Sequence, residues 1–289
     1  MSYDNLGIQL SVHRSSFDLD KYDLSKLPKL PPEMEERWYA KYYYMGRKQS
    51  EAAKLIRPMD PACALLPGDV DRWTKPEIDD TELGYCILPN GCGYSAADTV
   101  LPSVSFDMFR WYRKLRTFDE LAFMIWYPGS HISDKEGACI EDLGFGDSHC
   151  DVDCPVKISD FGFSKDPAEL DPDFLGLVGG AGWVHNLKYP DVKPYYITTI
   201  HYIRRHGENG IEFRTRGYIG MRPEAGRSVV IQDNIEPNIL MEIGRQLCGH
   251  YVYERETMEQ FLPEVYEKMK DIDMSKASTK GEAWSLEAK

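Results

Sequence analysis

From Pro237 to Val265 apolar side chains recur in steps of three and four: Ile239, Ile243, Leu247, Met258, Phe261 and Val265. That is the period of an α-helix, and it predicts one helix of about seven turns with a buried stripe. Pro237 suits its first position, after the start signals Asp233, Asn234 and Glu236, and Pro263 is expected to bend it near the end. Upstream the period changes to two. YYITTIHYIRR (195–205) and IEFRTRGYIGM (211–221), on either side of GENG, predict a β-hairpin. GYCILPNGCGYSAADTVLP predicts another, with Asn90-Gly91 as a two-residue turn signal. Further strands are predicted over LAFMIWYP (121–128), PVKISDFGF (155–163) and AGWVHNLKY (181–189). SFDMFRWYRKLR predicts a helix capped by Ser105 or Asp107. The glycine-rich GLVGGAG (176–182) reads as a sheet bend or a flexible lid.

The N-terminal third differs. PEMEERWYAKYYYMGRKQSEAAKLI predicts a helix from Pro32 to about residue 56, with Gly46 its weak point. The Pro- and Asp-rich stretch 57–81 reads as a connecting loop. The expected organisation is a helical and loop region over 1–80, a main domain over 81–270 and a mobile tail over 271–289. Strands in a run followed by one long helix give an α+β class. A curved antiparallel sheet around that helix encloses a cavity, and the helix stripe faces it.

Composition narrows the function classes. The 289-residue chain carries 34 Lys and Arg against 47 Asp and Glu, a net charge of −13, which argues against nucleic acid as partner. No stretch approaches the apolar length of a membrane span, and the first residues lack the pattern of a secretory signal. Seven cysteines at irregular spacing suit reduced thiols, so a cytoplasmic location is expected. G-x-S-x-G and G-x-x-x-x-G-K-[ST] are both absent.

The helix stripe also holds His250 and Glu254. At i and i+4 they lie on one face, a spacing at which two side chains can share one metal ion. A buried carboxylate is costly unless paired or metal-bound. The alternative is a solvent-exposed His/Glu pair. His131 ends IWYPGSH after a predicted strand. His201 shares a strand face with Tyr195, Ile197, Thr199 and Ile203, where a lone histidine is more often structural. SHCDVDC places His149 among Cys150, Asp151, Asp153 and Cys154, an alternative structural zinc cluster, though its spacing matches no paired C-x-x-C.

Three stretches resemble the 2,4-diacetylphloroglucinol hydrolase and phloretin hydrolase family: LAFMIWYPGSH, IHYIRRHGENGIEFRTRGYIGM and GHYVYERETMEQFLPEVY. The resemblance implies a helix-grip (Bet v 1-like) main domain and zinc-dependent hydrolysis of the carbon–carbon bond between an acyl group and a phenolic ring. It places His131, His250 and Glu254 on zinc ligands, Asp153 on the remaining carboxylate (Asp151 as fallback) and His201 on the catalytic histidine. It assigns Tyr218 to substrate binding. Phe123 stands where the family has a ring-hydroxyl-binding Tyr, so ring recognition is expected to differ, with Trp126 beside it. Zinc lowers the pKa of bound water and polarises carbonyls, and a histidine titrating near neutrality suits proton delivery to the departing ring carbon. The expected partner is a small aromatic ketone, with a homodimer as the assembly. A non-catalytic helix-grip carrier of an aromatic or lipid-like molecule is the competing reading.

Overall fold

The computed structural model describes residues 27–45, 51–76, 83–133, 139–142, 147–186, 193–277 and 285–287; the side chains of 51, 132–133, 139–142, 147–155, 186 and 285–287 lie outside that description. In chain order the helices are α1 (Pro32–Glu35), α2 (Lys41–Tyr44), α3 (Glu51–Lys54), α4 (Val70–Trp73), α5 (Phe106–Leu115), α6 (Glu120–Trp126), α7 (Pro167–Leu170) and α8 (Pro237–Met269). The strands are β1 (Arg57–Pro58), β2 (Gly84–Ile87), β3 (Gly93–Leu101), β4 (His131–Ser133), β5 (Cys139–Asp142), β6 (Asp147–Pro155), β7 (Phe174–Asn186), β8 (Tyr195–His206), β9 (Gly210–Ile219), β10 (Met221–Glu224), β11 (Arg227–Val230) and β12 (Ser285–Glu287). The chain is therefore α+β. One large sheet has the order β1-β2-β3-β9-β8-β7-β6-β5-β4, with β12 on β7, and β10–β11 form a separate ribbon. Only the short β1–β2 pairing is parallel among the described strands. No described helix is long and apolar enough to cross a membrane.

Period-two alternation gives the sheet its two faces. On β8, Ile197 and Ile203 pack toward α8, whereas Ile200 and Tyr202 pack against Trp73 and Phe161 on the far face. The α8 stripe, including Ile243, Leu247, Met258 and Phe261, is buried throughout. Close approach of helix to sheet depends on two glycines. A Cβ on Gly217 would come 2.6 Å from the Tyr251 hydroxyl, and one on Gly244 would come 3.0 Å from Tyr85 Cβ. The segments between residues 57 and 73 close the far face.

Both predicted hairpins are present. β8 and β9 pair from Ile197↔Ile219 to His206↔Gly210. The β2–β3 connection is longer than two residues: Leu88 N–H bonds to Cys92 O, with Gly91 at φ +82° and Asn90 Oδ1 accepting from Cys92 N–H. Ser105 caps α5 by accepting from Met108 N–H, as the sequence suggests.

Several expectations are corrected. Residues 121–128 are not a strand. Asp119 Oδ1 accepts from Ala122 N–H, and this cap starts α6. An apolar run buried on all sides carries no period to separate helix from strand. PVKISDFGF is not a strand either. β6 ends at Pro155, and Ile158–Phe161 form a 3₁₀ turn closed by Gly162 at φ +78°. β7 begins earlier than predicted, at Phe174, so GLVGGAG is strand interior and not a bend or lid. A Cβ on Gly179 would come 2.6 Å from Thr199 O on the neighbouring strand, which explains a glycine within a regular strand. Between Pro32 and Lys54 the single predicted helix is replaced by short pieces, and Gly46 lies outside the described residues. The 57–81 loop contains β1, a 3₁₀ turn at Pro61–Cys63 and α4. The expected mobile tail lies mostly outside the described residues, although Ser285–Glu287 pair with β7.

Candidate metal centre and active site

The site lies where α8, the end of α6 and the start of β4 meet. Helix α6 stops at Trp126, and the turn through Gly129 (φ +82°) brings the chain into β4 with His131 N–H bonded to Tyr127 O. This turns the His131 ring onto α8. His131 Nε2 and His250 Nε2 each lie 3.1 Å from Glu254 Oε1, and the two ring nitrogens are 3.4 Å apart. All three residues are buried. The sequence-predicted i,i+4 pair therefore faces inward, and the exposed-pair alternative does not hold.

The surroundings fix the donors. His131 Nδ1 is 3.2 Å from Phe123 O. A carbonyl there holds the ring proton on Nδ1 and leaves the Nε2 lone pair facing His250 and Glu254, the orientation that metal-binding imidazoles adopt. The Phe123 ring stacks on His131 at 4.2 Å and 5°. Trp126 meets His131 edge-on at 5.0 Å, and Tyr127 meets His250 at 4.7 Å. Burial works to raise the Glu254 carboxyl, but His250, His131 and Arg255 outweigh it and hold it well below the usual carboxylate range. An ionised carboxylate and two imidazole nitrogens thus crowd one point, with their ligand atoms all within 4.8 Å of one another. Such a set is unfavourable when empty and suits a divalent cation.

His201 stands on β8 on the α8 side of the sheet. Its Nδ1 lies 2.9 Å from Thr215 Oγ1 on β9, which sets the ring orientation. Arg255 Nη2 is 3.1 Å from Nδ1 and 3.4 Å from Nε2 of the same ring. Being close to both nitrogens at once, it lies across the ring and not along one lone pair. Burial first, then the Arg255 charge, hold His201 well below its ordinary pKa, so the imidazole is neutral near pH 7. Arg255 also approaches Glu254 Oε2 at 3.8 Å and so links the three donors to His201.

Phe123, Trp126, His131, His201, His250 and Glu254 are brought together. Tyr218 is not. It sits on the far face, where its hydroxyl donates to Leu65 O at 2.7 Å and its ring packs against Tyr94. Odd and even positions of β9 point to opposite faces, and Thr215 occupies the site side. Asp151 and Asp153 lie on β6, with Asp153 at the irregularity between Val152↔Gly182 and Cys154↔Ala181; their side chains, like those of the SHCDVDC cluster, lie outside the described residues. Arg255 and Thr215 were missed by the sequence reading. Arg255 follows Tyr251 by four positions and precedes Met258 by three, so the helical period itself places it among buried residues.

Fold and site together define an α+β protein with a buried two-histidine, one-carboxylate group able to hold a metal ion. The family model for the DAPG hydrolase PhiG domain matches residues 65–141 and 134–267, most of the chain, and the chain belongs to that family. Two similar proteins are 2,4-diacetylphloroglucinol hydrolases. That of Pseudomonas protegens is 22% identical over 267 residues, covering 79% of this chain and 83% of its own. That of a Pseudomonas species is 22% identical over 267 residues, covering 79% of this chain and 87% of its own.

Proposed function

We propose that this protein is a zinc-dependent hydrolase that cleaves the carbon–carbon bond between an acyl group and a phenolic, phloroglucinol-like ring, releasing a carboxylic acid and the deacylated ring. The observation that carries this reading is the convergence of His131, His250 and Glu254 on one point, with Arg255 bridging from Glu254 to His201. Family membership and the names of the two relatives support the reaction class. The long α8 packed along one face of an antiparallel sheet suits a helix-grip architecture.

In this reading His131, His250 and Glu254 hold the metal, with Asp153 proposed as a further ligand and Asp151 as its alternative. When bound, zinc supplies Lewis acidity toward the ketone and lowers the pKa of water. The protein's own residues do the rest. Phe123 O keeps the His131 proton on Nδ1, so Nε2 stays a donor to the metal. The Phe123 and Trp126 rings wall the site and exclude water from it. Neutral His201 takes a proton released from the attacking water and delivers it to the ring carbon that loses the acyl group. Thr215 holds the imidazole for both transfers. Phe123 carries no hydroxyl, so it contacts the substrate through ring packing alone. Tyr218 takes no part.

Incubation of zinc-loaded protein with 2,4-diacetylphloroglucinol or phloretin in heavy-oxygen water tests the reaction. The expected products are the deacylated ring and an acid carrying one heavy oxygen from water. Ligand recovered unchanged across a panel of acylphenols, from protein that binds both ligand and zinc, would overturn the reading and favour the carrier.

A further inference from the structure

Arg255 is 1% exposed, yet its Nε and Nη1 have no hydrogen-bond partner among the described residues. Its guanidinium is enclosed by aromatic rings, with Cζ 4.1 Å from the Phe213 centroid, 5.5 Å from Trp126 and 6.0 Å from Phe109. Stacking on ring faces stabilises the cation but leaves the in-plane N–H groups unused. The Trp126 indole Nε1 is also buried without an acceptor. Among the described residues the carboxylate paired with Arg255 is Glu254 at 3.8 Å, and its Oε1 already serves two imidazoles. More positive charge surrounds the same spot. Arg116 Cζ lies 4.7 Å from the Trp126 centroid, and both Arg113 and Arg116 act on His201 electrostatically. Buried N–H donors without acceptors are rare in folded proteins and mark the place of a missing acceptor.

From these donors we infer that Arg255 and Trp126 form an anion subsite beside the metal centre, and that the preferred substrate carries a carboxylate on its phenolic ring. This inference rests on the acylphenol reading above and narrows it. The carboxylate accepts from Arg255 and from the Trp126 indole, with Arg113 and Arg116 adding long-range attraction. Guanidinium suits this role, since it is permanently charged and keeps an N–H donor, Nε or Nη1, for the carboxylate while Nη2 meets His201.

The test is calorimetric titration of the zinc-loaded protein with 2,4,6-trihydroxybenzoate and with phloroglucinol, which differ by one carboxylate. The expected result is at least tenfold tighter binding of the carboxylate. In Arg255→Met the preference falls to within twofold, and Trp126→Phe loses part of it. Far-ultraviolet circular dichroism checks each variant for folding. Should Arg255→Met fail to fold, Arg255→Lys is read in its place: Lys keeps the charge but not the guanidinium donors, so the preference should fall in part, and a preference unchanged from the wild type overturns the inference. Equal affinity of the two ligands for the wild type overturns the inference. So does a preference that survives Arg255→Met but vanishes on metal removal, which would place the carboxylate on the metal. Acetate competing as strongly as the ring carboxylate would assign the subsite to the released acid and overturn the substrate claim. Binding is read without turnover, so a failed preference is distinguishable from failed hydrolysis of neutral acylphenols.

Discussion

The two faces of the large sheet both bury charge, and they do so differently. On the far face Arg204 donates to Asp171 at 2.6 and 2.9 Å and to Glu212 at 3.1 Å, Arg214 donates to Glu212 at 2.6 Å, and Arg216 pairs with Asp98 at 2.6 Å. Each of these carboxylates meets a guanidinium, and Arg204 and Arg214 also reach the carbonyls of Pro76 and Trp73. On the near face two imidazoles converge on one carboxylate oxygen, and Arg255 Nε and Nη1 have no hydrogen-bond partner among the described residues. Burial alone therefore does not mark a functional site. A paired network is a structural solution to charges placed inside a fold. A set of ligand atoms crowded on one point is instead an arrangement that could hold a metal ion.

This contrast can be broken by substitution. The largest effect is expected from His201→Ala, which should lower turnover of an acylphenol about a hundredfold to ten-thousandfold while leaving metal content unchanged; steady-state kinetics with elemental analysis check both. Undiminished turnover would remove His201 from the mechanism. Asp171→Ala on the far face should destabilise the fold by about 1–3 kcal/mol, because Arg204 Nε and Nη2 lose their acceptor while Glu212 and the Pro76 carbonyl still hold Nη1. Urea denaturation measures the loss, and metal binding by the protein that remains folded should be normal.

Acidity separates the faces further. The folded-state pKa of His201 is depressed, so the unfolded chain binds the proton more readily. Stability is fully present above the unfolded value near 6.5 and falls as pH drops below it, toward the lower folded value. The slope from this one group is at most about 1.4 kcal/mol per pH unit. Glu254, also depressed, adds its own loss only below about 4.5. Urea midpoints of metal-free protein between pH 7.5 and 5.5 should therefore decline, and His201→Gln should flatten that decline. The smallest effect is expected from Tyr218→Phe. It removes the bond to Leu65 O at a cost of about 0.5–1.5 kcal/mol and should leave kcat and KM within twofold. A large change in KM would contradict its placement on the far face.

Much of this was legible in the sequence where one period dominated. The α8 stripe and the β8–β9 hairpin follow directly from steps of 3.6 and two, and the stripe itself exposed His250 and Glu254. The site failed to read where the periodic signal was absent. LAFMIW is almost wholly buried, so its apolar pattern carries no period, and only the local Asp119 cap, one polar residue before the run, marks it as a helix. That helix is what aims Phe123 O at His131. Tyr218 was misplaced because a family motif gives a position along a strand but not the face it points to. The side chain of Arg255 was hidden in a polar stretch, ERET, that reads as solvated surface until the helix is placed in three dimensions.

His131, His250 and Glu254 are proposed to hold a metal ion. Elemental mass spectrometry of purified protein, alongside a His250→Ala/Glu254→Ala variant, tests it most directly. About one zinc per chain is expected, from one set of protein ligands that leaves a position open, with its loss in the variant and the fold retained. No metal in the wild type after zinc reconstitution, or equal metal in both proteins, would contradict it.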